Sequence, residues 1–207
     1  MVISIYGGSD SGKTTLATAL QQYFLNDGRG CYLLSGDDYP HRITKRNDEE
    51  QLRVYKEAGE DGLRGYLGTK KEIDFARINE VLAAFHEGKD TITLRHLERE
   101  DGEISSEETD FSGTSVLLLE WTHGGSDDLH GVDLSVFLES SPEETKEWHI
   151  RRNRDENAAS PFICRVVELE QEKLEVQRKN AGCIFFFLHS AEPVPFRSRP
   201  GIFRDRL

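Results

Sequence analysis

The stretch Gly7-Gly8-Ser9-Asp10-Ser11-Gly12-Lys13-Thr14-Thr15 limits what this chain can fold into more than any other. Before it stands the short β-branched and aromatic run Val2 to Tyr6, which reads as a buried strand. After it, Leu16, Leu20, Tyr23 and Phe24 recur at i, i+4, i+7 and i+8, one face of a helix that Gly28 and Gly30 end. Gly7, Gly12, Lys13 and Thr14 meet the spacing Gly-x-x-x-x-Gly-Lys-Thr. Strand, glycine turn and helix in that order make a phosphate cradle. Glycine lets backbone N–H groups turn inward around phosphate oxygens. The helix start adds free N–H groups and the positive end of its dipole. Gly8, Asp10, Ser11, Gly12, Lys13, Thr14 and Thr15 are therefore the expected nucleotide-binding residues. Lys13 is expected to contact the β- and γ-phosphates, and the Thr14 hydroxyl to hold Mg²⁺.

The rest of the chain alternates strands with helices. Cys31 to Leu34 and Ser115 to Leu119 read as further buried strands, with others at Val132 to Leu138 and Cys183 to Leu188. Helices are expected over Asp48 to Ala58, after the N-cap Asp74, from Pro142 to about Arg154, and from about Pro161 to Lys179. Gly59, Gly62, Gly65 and Gly68 read as a loop. Thr91 to Leu94 and the stretch around Ile104 suit a hairpin. Such alternation implies an α/β fold with a mostly parallel sheet and helices on both faces, and ligands beyond the C-terminal ends of the strands.

With 207 residues, the chain suits one such domain. Residues 1–190 are expected to form it, with the hairpin insert at about 91–112 and a lid at about 151–162, followed by a tail over 191–207. The net charge of −12 argues against a broad nucleic-acid or anionic-membrane footprint. No apolar run approaches membrane-spanning length. Cys31, Cys164 and Cys183 are odd in number and form no Cys-x-x-Cys pair, so reduced thiols and a cytoplasmic location are expected. Cys31 and Cys183 sit in apolar runs and are expected to pack.

Two acids end strands on the ligand edge. Asp37 is the candidate base for an acceptor hydroxyl, also within reach of the metal, and Glu120 is a candidate metal ligand. Arg151, Arg152 and Arg154 close a helix. Arg151 and Arg154 share one face and are the candidates to neutralise a transferring phosphoryl group. His41, His96 and His123 follow or end these same elements, within reach of an acceptor pocket. No histidine pair has zinc-ligand spacing.

Taken with Ser35-Gly36-Asp37-Asp38-Tyr39, Leu117 to Glu120 and Arg151 to Asp155, the glycine loop resembles the uridine kinase and phosphoribulokinase branch of the P-loop kinases, over roughly Val2 to Phe187. The resemblance implies the P-loop NTPase fold with a small β-hairpin insert and an arginine-bearing lid. It also implies ATP and Mg²⁺ as cofactors, with the γ-phosphoryl group passing to a hydroxyl of a small molecule such as a nucleoside or sugar phosphate. By the same resemblance the residue matching Asp37 activates the acceptor, those matching Thr14 and Glu120 help to hold Mg²⁺, and Arg151 and Arg154 face phosphate. The His-Pro-Asp-Ala-Phe-Asp stretch of uridine kinases is missing, its nearest counterpart being Glu72-Ile73-Asp74-Phe75, and Trp121 stands where a glycine is usual. Tyr39-Pro40-His41-Arg42 looks more like the phosphoribulokinase side. Tyr39, His41, Arg42, Arg95, His96 and His123 are the candidate acceptor residues, suiting an anionic or polyhydroxyl compound. The expected partner is that small molecule, with self-association left open. The alternative reading is a regulatory NTPase switch acting through a protein partner.

Overall fold

The computed structural model describes residues 1–9, 11–97, 103–140 and 161–186. Asp10, the expected helix from Pro142, the lid arginines Arg151, Arg152 and Arg154, and the tail lie outside the described residues. A five-stranded sheet runs in the order β2 (Gly30–Ser35), β5 (Thr114–Trp121), β1 (Val2–Gly7), β6 (Leu134–Glu139), β7 (Cys183–Phe186), and every neighbouring pair is parallel. β1 is central and buried along its whole length.

Strand residues alternate between the two faces. Ile3 and Ile5 join Val116, Leu118, Val136 and Leu138 under helix α1 (Lys13–Asn26), which contributes Ala17 and Phe24. Val2, Leu117, Leu119 and Trp121 face the other way, onto helix α3 (Phe75–His86) through Phe75, Ile78, Val81 and Leu82. Tyr23 is 63% exposed, so the inward stripe of α1 is narrower than its spacing implies. Asp74 caps α3 as expected, accepting a 3.1 Å hydrogen bond from the Arg77 N–H. Strands β3 (Thr91–Leu97) and β4 (Ile104–Asp110) form a separate antiparallel hairpin.

Helix α2 spans Thr44–Arg64, longer at both ends than the expected Asp48 to Ala58. Gly59 interrupts it with φ 64°, but Gly62 is helical rather than part of a loop. Leu63 and Leu67 anchor its end against Val166 and Leu169 of helix α4 (Pro161–Gln177), and this contact overrides the low helix propensity of the glycines. Cys183, expected to pack, is exposed with Cys164, because β7 is the edge strand; Cys31 is half-buried.

Candidate active site

The phosphate loop sits at the C-terminal end of β1. Gly12 takes the left-handed conformation, φ 89°, and starts α1 with no side-chain cap, so the first N–H groups of the helix face the loop. Lys13 is 9% exposed and its ammonium group donates to the Gly8 carbonyl at 2.7 Å. The Ser11 hydroxyl is buried and has no hydrogen-bond partner among the described residues. A helix N-terminus without a side-chain cap, a buried hydroxyl with no partner among the described residues and a buried lysine folded back on the loop are the donor set that a polyphosphate satisfies.

Strand register gathers the acids. Ser35 of β2 pairs with Glu120 of β5, and Ile5 of β1 pairs with the same Glu120. The Thr14 hydroxyl, one residue into α1, then donates to Glu120 Oε1 at 3.3 Å. These two oxygens sit together beside the loop, as a hydrated divalent cation requires. Asp37 follows β2 in the short 3₁₀ turn Gly36–Asp38. Trp121 explains that turn: its indole lies so close to Gly36 that a Cβ there would collide with it, and it packs at a tilt against Phe75 with ring centroids 5.4 Å apart. The departure from a usual glycine at 121 thus builds the floor beneath the acid.

The segment after that turn pairs antiparallel with the loop between α2 and α3. Pro40 bridges Ile73, the His41 N–H donates to the Glu72 carbonyl at 2.9 Å, and the Asp74 N–H donates to the Tyr39 carbonyl at 2.9 Å. This brings in Glu72, a side chain that sequence reasoning gave no role. It is 6% exposed. Its Oε1 accepts from Asn47 and Gln51, each at 2.8 Å, and its Oε2 accepts from the Gly68 N–H at 2.6 Å. Three donors fix its position.

His123 is 8% exposed and stands edge-on to Trp121 with ring centroids 5.6 Å apart. Burial lowers its pKa; Glu72 and Asp37 push it back up, while Lys173 and Lys13 lower it further. Its Nδ1 is buried without a partner. The other acceptor candidates scatter. Tyr39 is fully buried, its phenol pushed up to about 12 mainly by burial. His96 lies 3.9 Å from Asp38 Oδ2, and Asp38 Oδ1 accepts from the Leu97 N–H, tying the hairpin to the Asp37 turn. Arg95 pairs with Asp74 at 3.3 Å. His41 Nε2 contacts the Lys70 carbonyl at 3.0 Å. Arg42 pairs with Glu50 at 3.6 Å and lines a cavity of about 430 Å³ with Arg53, Tyr66 and Lys71, on the α2 side.

Helix α4 closes the arrangement. A Cβ on Gly8 would lie 3.3 Å from Gln171 Oε1 and 3.8 Å from Leu174 Cδ1, so α4 crosses directly over the phosphate loop. Glu170 and Lys173 went unnoticed in the sequence. The signal was present: both fall on the inward stripe defined by Val166, Leu169, Leu174 and Gln177. The Glu170 carboxyl is pushed up to about 7, by burial first and then by Glu72 and Asp37, against the pull of Lys13.

A parallel sheet carrying a glycine-lysine loop at its central strand, with a hydroxyl and a carboxylate beside it, defines a P-loop nucleotide-binding protein. Residues 2–160 match the Phosphoribulokinase / Uridine kinase family. The chain is 90% identical over 184 residues to the bifunctional α-galactosidase/sucrose kinase AgaSK of Mediterraneibacter gnavus; the match covers 89% of this chain and 20% of that protein. Among solved structures, a "possible uridine kinase" from Bacillus stearothermophilus superposes with a TM-score of 0.62 at 22% identity, covering 89% of this chain and 88% of that one. Phosphoribulokinase from Rhodobacter spheroides gives 0.65 at 17% identity, covering 89% and 69%. The chain belongs to the phosphoribulokinase/uridine kinase family of P-loop kinases, phosphotransferases that use hydroxyl acceptors. It spans about a fifth of the length of the curated relative it matches. Among the described residues, no helix is long and apolar enough to cross a membrane.

Proposed function

We propose that this chain is a sugar kinase that uses ATP and Mg²⁺ and transfers the γ-phosphoryl group to a hydroxyl of sucrose. The observation that carries the reading is the 90% identity to a protein whose name includes sucrose kinase activity. The site's chemistry supports it. Bound ATP supplies the phosphoryl group, and Mg²⁺ screens its charge.

The loop's backbone N–H groups and Lys13 would hold the phosphates, and Thr14 and Glu120 the metal, with Asp37 at the edge of its sphere. Asp37 stands on the turn that leads from β2 toward Glu72 and His123, the side on which an acceptor hydroxyl would approach. A carboxylate there orients the hydroxyl and takes its proton as the new O–P bond forms. Arg151 and Arg154 are proposed to neutralise the phosphoryl group from the lid.

ADP release with ATP and Mg²⁺ is the test, run with sucrose, nucleosides and sugar phosphates. Sucrose is expected to raise turnover far above the water background and to yield a sucrose phosphate identifiable by mass. Asp37→Asn should keep nucleotide affinity and lose about a hundredfold or more in transfer. Turnover that sucrose does not raise would discard this acceptor.

A further inference from the structure

The inward stripe of α4 carries two charges where packing alone calls for apolar side chains. Val166 and Leu169 pack on Leu63 and Leu67, and Leu174 packs on Tyr6 and Phe137. Between them, on the same stripe, stand Glu170 and Lys173, both half-buried. A buried charge is costly unless it is paired. Neither makes a hydrogen bond or ion pair among the described residues, although outward neighbours on the same helix do: Glu172 pairs with Arg64, and Glu168 with Arg165. Nor do Glu170 and Lys173 act on each other. Both instead feel Glu72 across the site, and Glu170 also feels Asp37 and Lys13.

The opposite wall has the matching defect. His123 Nδ1 is an unpartnered polar atom in a side chain only 8% exposed, set among Glu72, Asp37, Lys13 and Lys173. Glu72 spends its hydrogen bonds elsewhere, on Asn47, Gln51 and the Gly68 N–H. Glu170 and Lys173 on α4 and His123 just after β5 thus all act on Glu72, each with hydrogen-bonding capacity unused among the described residues.

We propose that α4 forms one wall of the acceptor pocket, where Glu170, Lys173 and His123 bind the hydroxyls of an uncharged polyol and select it over a phosphorylated one. The inference rests on the kinase reading above and adds to it the residues and the charge class. The chemistry decides the class. A carboxylate accepts, an ammonium group donates, and an imidazole does one of each, a set that sugar hydroxyls match because each both donates and accepts. Charge excludes the phosphorylated alternative. Lys13 belongs to the nucleotide loop, while Glu72 acts on both Glu170 and Lys173, and Glu72 and Asp37 together push the Glu170 carboxyl up, so carboxyl groups already crowd this space. A phosphate ester would bring further negative charge against them.

Two measurements on the full chain test this. Steady-state turnover is measured for the parent, Glu170→Gln and Lys173→Met, varying sucrose and ATP separately. Calorimetry then follows sucrose binding in the presence of Mg²⁺ and a non-hydrolysable ATP analogue. Each variant is expected to raise KM and Kd for the sugar by about tenfold while nucleotide affinity stays within about twofold. Sugar phosphates are expected to be poorer acceptors than neutral sugars. Sugar constants unchanged in both variants would reduce the two residues to packing and overturn the proposal, as would a preference for sugar phosphates. If the parent binds neutral sugars without turning them over, and the variants lose that binding, the kinase reading falls and the wall stands. A parent that binds no neutral sugar overturns the wall.

Discussion

Lys13 shows at the scale of one residue how the loop holds its own cation in place. Its ammonium group is already turned inward onto the Gly8 carbonyl at 2.7 Å, and its stem is buried. A phosphate oxygen needs only to replace that carbonyl. Lys13→Ala is therefore expected to cut kcat/KM by about a hundredfold or more, with the fold intact by circular dichroism, because the charge is lost where it develops in the transition state. Turnover within a few-fold of the parent would show that the lysine merely fills the loop. Residues of this kind were legible in the sequence because the glycine spacing is local. Glu72 was not: its three donors come from Asn47, Gln51 and Gly68, which only the folded α2–α3 connection brings together. Glu170 and Lys173 share the spacing of an inward stripe, but charged side chains in a helix read as its solvent face until the helix is packed.

Between elements, the α2–α3 connection is the joint on the side proposed for the acceptor. Gly68 adopts φ +62°, and a Cβ there would lie 2.7 Å from His123 Cε1. Its N–H also holds Glu72. Gly68→Ala combines left-handed strain with a clash against a buried ring and is expected to cost about 1–3 kcal/mol, read from urea unfolding. The same change should weaken sugar binding more than nucleotide binding, because the loop moves away from His123 and not from Gly8. Stability equal to the parent's would mean that the connection yields freely. The glycines of this region were read as a loop from their propensity. The anchoring of Leu63 and Leu67 on α4 instead extended the helix through Gly62, a tertiary effect with no local signature.

For the molecule as a whole, burying opposed titratable groups at one site couples stability to pH. Glu170 titrates near 7 in the folded chain against an ordinary 4.5, so between those values the folded state binds more protons than the unfolded one. Its contribution to stability therefore falls as pH rises through that window. His123 works in the other direction: its depressed pKa means that stability is lost as pH falls through the ordinary imidazole range. Glu170→Gln isolates the first effect. Its melting temperature relative to the parent should climb between about pH 5 and about pH 8, and parallel melting curves would remove Glu170 from the buried network. The fold class itself was readable from the alternation of strands and helices, because β1 and β5 are apolar enough to be buried on both faces.

The position of β1 in that sheet also bears on how the chain is made. Its partners β5 and β6 begin at Thr114 and Leu134, and the Met1 amino group bonds as far away as the Ser115 carbonyl. During synthesis β1 and its glycine loop emerge roughly a hundred residues ahead of β5 and β6 and then wait, with an apolar edge on either side, until those strands follow. Folding of the nucleotide site is set by the slow closure of these distant pairings, and the nascent chain is most exposed to aggregation in that interval.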